Sequence, residues 1–118
     1  MVSVTRSADC GNSPKNKAVE DLAVSLEGGT WSGDLIGPET LWTPASGDPV
    51  KGLTAIMQAA AGSPKAITVD RVTTHGKVGA ASGMTDGKRF AHIITFTSAT
   101  ANSVAAIDSF RKNGTAHG

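Results

Sequence analysis

KVGAASGMT-DG-KRFAHIITFTS, running from Lys77 to Ser98, decides how the second half of the chain folds. Asp86-Gly87 separates two strand-like runs, and both residues tolerate the positive φ that a two-residue hairpin turn requires. So short a loop leaves the register no freedom: Thr85 pairs with Lys88, Gly83 with Phe90, Ala81 with His92 and Gly79 with Ile94. Side chains alternate along a strand, so the last six of these residues share one face. Bulky groups on one strand therefore meet glycine or alanine on its neighbour. Such matching either fills a tight core or lets the sheet bend around a cavity with His92 in its wall.

The β texture extends in both directions from this hairpin. Four strands are predicted, over 66–75, 77–85, 88–98 and 103–111. Upstream the periodicity is helical. Ser13 is suited to cap a helix and Pro14 to begin it; Ala18, Val19, Leu22, Ala23 and Leu26 form one apolar stripe, and Gly28-Gly29 ends the segment. Trp31, Leu35 and Ile36 suggest a short second helix, weakened by Gly33. Thr40–Thr43 is a strand candidate around Trp42, and Pro44–Pro49 (PASGDP) is a loop. Leu53–Ala61 reads as a helix closed by Gly62-Ser63-Pro64. Residues 1–11 read as a flexible arm and 112–118 as a flexible tail of one domain spanning 1–118. Helices followed by an antiparallel meander define an α+β fold with helices on one face of the sheet.

Composition excludes several functions. A chain of 118 residues has room for one core and one internal pocket. Eleven Lys and Arg against ten Asp and Glu leave a net charge of +1, too small a footprint for nucleic acid. One cysteine, Cys10, excludes an intrachain disulfide or a cysteine metal cluster. His75, His92 and His117 lack a metal-ligand spacing, the glycines of GKVGAASG precede no helix, and no serine sits in a nucleophile elbow. Neither a membrane span nor a signal peptide is visible, so a cytoplasmic protein without membrane contact is expected.

A helix ending in Gly-Gly, then ETLWTPASGDPVKG leading into LTAIMQ, then DGKRFAHIITF and VAAIDSF, resembles the nuclear-transport-factor-2-like, or SnoaL-like, proteins over about residues 13–112. The resemblance implies a cystatin-like cone: a curved, antiparallel-rich sheet wrapped around a long N-terminal helix, with a pocket at the open end. It also implies homodimers formed through the outer sheet face, and cofactor-independent activities such as those of ketosteroid isomerases, dehydratases and limonene epoxide hydrolase. In the isomerase pattern, the general-base position holds Pro44, the phenol position falls near Leu22, and the acid of the penultimate strand corresponds to His92. The chain has no Tyr at all, which argues against that activity. In the epoxide hydrolase pattern, Arg71 and Asp108 match charged positions, whereas Thr73, Trp42 and Pro44 replace an acid and the water-holding pair.

Alternation puts Arg71, Thr73 and His75 on one strand face, which the resemblance points inward. The expected catalytic set is His92 as general acid/base, Asp108 as its orienter and Arg71 as the anion partner. Trp42, Thr73, Phe90, Ile94 and Phe110 would line the ligand. Arg71 and Asp108 could equally be a buried ion pair, and His92 a hydrogen-bonded core residue. The opposite face, with Val78, Ala80, Met84, Ile93 and Ile107, is apolar enough to suggest a homodimer. The functional expectation is a protein that binds a small apolar organic molecule and could isomerise, dehydrate or hydrolyse it without a cofactor. The alternative is a non-catalytic ligand-binding or dimerisation module.

Overall fold

The computed structural model describes residues 3–5, 14–28, 31, 35–60, 64–98 and 103–112. Among them, nine elements follow in chain order: β1 (Ser3–Thr5), α1 (Pro14–Leu26), β2 (Ile36–Thr43), β3 (Val50–Lys51), α2 (Leu53–Ala60), β4 (Ala66–His75), β5 (Val78–Thr85), β6 (Lys88–Phe96) and β7 (Val104–Arg111). The strands form one mixed sheet ordered β1-β4-β5-β6-β7-β2-β3. β4 to β7 are an antiparallel meander, while β1 joins β4 and β2 joins β7 in parallel.

The hairpin has the register that its two-residue turn requires. Asp86 and Gly87 adopt φ of 50° and 85°, and Thr85 pairs with Lys88. Gly83, Ala81 and Gly79 lie opposite Phe90, His92 and Ile94, and all six point into the core. Glycine is needed for close approach at Gly83, where a Cβ would stand 2.8 Å from the Thr68 carbonyl carbon and 2.9 Å from Val69 Cα.

α1 lies against β4 and β5, and α2 against β2 and β3. The α1 stripe supplies Val19, Leu22, Ala23 and Leu26 to a core completed by Ile56, Ile67, Val69, Phe96 and Ile107. Thr74 Oγ1 donates to Asn16 Oδ1 at 2.7 Å, tying the end of β4 to α1. Gly28, at φ 108°, turns the chain out of the helix. Gly29, the Ser13 cap, Cys10, Gly33, Gly62-Ser63, His117 and all of the 112–118 tail beyond Lys112 fall outside the described residues.

Several expectations are corrected. Ser3–Thr5, read as part of a loose arm, form a strand on the edge of β4. Ile36, assigned to a short helix, opens β2, which is longer than the expected Thr40–Thr43. Two β-bulges then change which side chains point inward. Val69 pairs with Gly83 but Arg71 with Ser82, so Asp70 is an extra residue. Ile67 and Val69 face the core before it; Val72 packs on the core after it, and Arg71, Thr73 and His75 are exposed. In β7, Phe96 pairs with Val104 but Thr95 with Ala106, leaving Ala105 over. Ile107 and Ser109 consequently face inward, and Asp108 and Phe110 outward. Ile107, expected on the outer face, is a core residue.

Candidate active site

β6 carries His92 inward between Phe90 and Ile94, where the residue is 1% exposed. Its ring tilts against Phe90, with centroids 5.1 Å apart. An imidazole so buried must have partners for both nitrogens. Nδ1 lies 2.6 Å from Ser109 Oγ and Nε2 2.7 Å from Glu27 Oε2. Ser109 is the residue directly opposite His92 in the β6–β7 register. From β2, the next strand over, Trp42 donates its indole N–H to Ser109 Oγ at 2.7 Å.

The donor chemistry orders these bonds. A carboxylate only accepts, so Nε2 carries the proton shared with Glu27. An indole only donates, so Ser109 accepts from Trp42. When the Ser109 hydroxyl in turn donates to Nδ1, every polar atom of the row is matched. With His92 neutral, the chain of donation runs Trp42, Ser109, His92, Glu27; with the ring protonated, Nδ1 donates to Ser109 instead.

Glu27 follows the last residue of α1, and its N–H reaches the carbonyls of Ala23 and Val24 at 3.1 and 3.2 Å. An anion at this end of a helix faces the negative pole of the backbone dipole, so it needs external support. Thr85 Oγ1 donates to Oε1 at 2.7 Å, and Arg111 Nη2 donates to Oε1 and Oε2 at 2.8 and 2.9 Å. Burial pushes the Glu27 pKa up. The hydrogen bond and attraction of His92, with the bonds from Thr85 and Arg111, outweigh it and hold the carboxyl at about 2, against an ordinary 4.5.

This row borders a cavity of about 290 Å³ on the helical side of the sheet. Leu26 and Ala60 supply apolar wall from the two helices, and Pro44, Ala45 and Ser46 form a lip after β2. Trp42, His92, Ser109, Thr85, Glu27 and Arg111 supply the polar wall. A site with a charged pair, a hydroxyl and an imidazole can polarise a ligand, move a proton or anchor an anion. A second hollow of about 660 Å³ lies between β2 and α2; it is larger but wider open, and Lys51 is its one ionisable lining residue.

Of the residues expected at the site, Trp42 and His92 line the cavity. Phe90 and Ile94 are packed in the core instead. Arg71, Thr73, Asp108 and Phe110 are exposed on the other face, so Arg71 and Asp108 are neither a buried pair nor partners of His92. Glu27 takes the orienting place expected of Asp108, and Arg111 is the cation that meets it. Glu27, Ser109 and Arg111 stand in no motif that the sequence displays. One signal was present: an acid at the C-terminal end of a predicted helix, just before Gly-Gly, sits against the dipole and calls for a cation.

No protein-family model matches the chain, and neither a curated protein nor a solved structure matches it. Fold and site define a class without that help: an α+β domain that has, among the described residues, a mixed seven-stranded sheet, two helices and a cavity beside a buried Ser-His-Glu row. Among the described residues, no three His, Cys, Asp or Glu side chains gather as metal ligands, and no helix is long and apolar enough to cross a membrane.

Proposed function

We propose that the protein binds a small, largely apolar organic molecule in the cavity between α1, α2 and the sheet. On this reading it is a cone-shaped, SnoaL-like pocket protein of the cytoplasm that works by acid/base groups without a cofactor. The observation that carries the proposal is the convergence of Glu27, Trp42, Thr85, His92, Ser109 and Arg111, drawn from the end of α1 and from four strands, onto one cavity. A core that only needed filling would be served by apolar side chains at lower desolvation cost. Helices packed on one side of a mixed sheet, with a pocket between them, also fit the resemblance.

His92 is the acid/base group, oriented by Glu27 rather than by Asp108. Both of its nitrogens are engaged, so a proton passes between ligand and imidazole by way of the Ser109 hydroxyl. Arg111 at the rim favours a ligand with one anionic group. The outer face, where Leu41, Val78, Met84, Ile93 and Phe110 are exposed, meets a second copy of the chain.

The test uses 1-anilinonaphthalene-8-sulfonate, an apolar molecule with one negative charge. Saturable binding that quenches tryptophan emission is expected, with affinity falling at least about tenfold when Ala59→Phe fills the cavity wall. Equal binding by the wild type and the filled variant, or none by either, sinks the pocket reading.

A further inference from the structure

We infer that Ser109 is a nucleophile for acyl transfer, with His92 as its base and Glu27 as the orienting carboxylate; this rests on the pocket reading above. Three observations carry it. The Ser109 hydroxyl touches His92 Nδ1 at 2.6 Å, the Glu27 carboxylate holds Nε2 at 2.7 Å, and Ser109 and His92 both border the cavity. Nucleophile, base and orienter in hydrogen-bond sequence are the arrangement that makes a hydroxyl reactive, whatever fold carries it. Relative to the commoner arrangement, the two ring nitrogens exchange roles, which leaves the proton path intact.

The Glu27 carboxylate has its other contacts filled by Thr85 and Arg111, so it stays ionised while the imidazole gains a proton. Arg111 makes both of these bonds through Nη2 and has no other partner among the described residues. Its Nη1 and Nε therefore remain to meet an anionic group on the substrate. The Trp42 indole N–H, 2.7 Å from Ser109 Oγ, holds the hydroxyl in place beside His92.

The substrate class is a small carboxylic ester. Ser109 Oγ adds to the ester carbonyl carbon as the hydroxyl proton passes to His92 Nδ1. The carbon–alkoxide bond then breaks, and the departing alcohol takes that proton. An acyl group is left on Ser109. Water attacks this second ester with His92 again as base, releasing the carboxylic acid and restoring the serine.

The experiment incubates the full chain with 4-nitrophenyl butyrate and, separately, with a fluorophosphonate, followed by intact-mass and peptide mapping. One adduct per chain, on Ser109, is expected with each reagent, together with a burst of nitrophenolate. Ser109→Ala should abolish the adduct. His92→Gln should slow acylation at least about 100-fold, the scale of a lost general base. Because Ser109→Ala also removes a partner from Trp42 and from His92, the wild-type adduct map decides by itself. Wild-type protein that binds anilinonaphthalene sulfonate yet carries no adduct on Ser109, or carries one only on lysines, overturns the nucleophile and leaves the pocket standing. Loss of anilinonaphthalene sulfonate binding overturns the pocket itself.

Discussion

Glu27 concentrates more of the site's energetics than any other residue. Its carboxylate is buried, sits at the unfavourable end of a helix and is held ionised by three side chains from three strands. A folded-state pKa of about 2 against about 4.5 means the unfolded chain binds the proton more readily. The stabilisation is therefore fully present above about pH 4.5 and is lost as pH falls toward 2. It amounts to about 3 kcal/mol, because each tenfold difference in proton affinity is worth about 1.4 kcal/mol. Urea unfolding at a series of pH values should show this slope in the wild type and a flatter one in Glu27→Gln. Near pH 7 the same variant should be destabilised by about 3 kcal/mol, because His92 and Arg111 lose their shared anion. Parallel slopes in the two proteins would show that Glu27 is not the group responsible.

At the scale of elements, the hairpin was readable because its turn leaves only one register. Asp86-Gly87 sets Gly83 opposite Phe90 and Ala81 opposite His92, and the structure has those pairs. Gly83→Ala would push a methyl group into the Thr68–Val69 backbone, which cannot yield as a side chain can. A loss of about 3 kcal/mol is expected, seen as a fall of roughly 10 °C in Tm. A variant as stable as the wild type would mean that β4 and β5 separate at little cost. The inward set of β4 and β7 was less readable, because alternation is counted outward from one residue and each bulge shifts the count. Val69 and Val72 are three apart with Asp70-Arg71 between them, a spacing that strict alternation cannot bury on one side. In β7, Val104, Ala106, Asp108 and Phe110 form one alternating set and Ala105, Ile107 and Ser109 the other, yet the bulge at Ala105 buries Val104 from the first together with Ile107 and Ser109 from the second. Glu27 lay in no motif at all; its role exists only once α1 ends beside β6.

For the molecule as a whole, the sheet has two unlike sides. One carries the helices and the cavity; the other leaves Phe110 55% exposed among Leu41, Val78, Met84 and Ile93. Sedimentation equilibrium should give a dimer for the wild type and a monomer for Ile93→Glu combined with Phe110→Glu, with circular dichroism unchanged. A wild-type monomer at tens of micromolar would remove the dimer from the proposed function. The Asp70 bulge bears on both sides together. A sheet, like a coding sequence, has a frame, and Asp70 is a single insertion that the bulge absorbs. Deleting that one residue would place Arg71 directly after Val69, opposite Ser82 as before, so the bulge would close with Arg71 still outward and Val72 still on the core. A one-residue length change after Asp70, between Val72 and His75, would instead exchange the two faces beyond it, so drift in this strand should tolerate loss of Asp70 and reject a gain or loss further along.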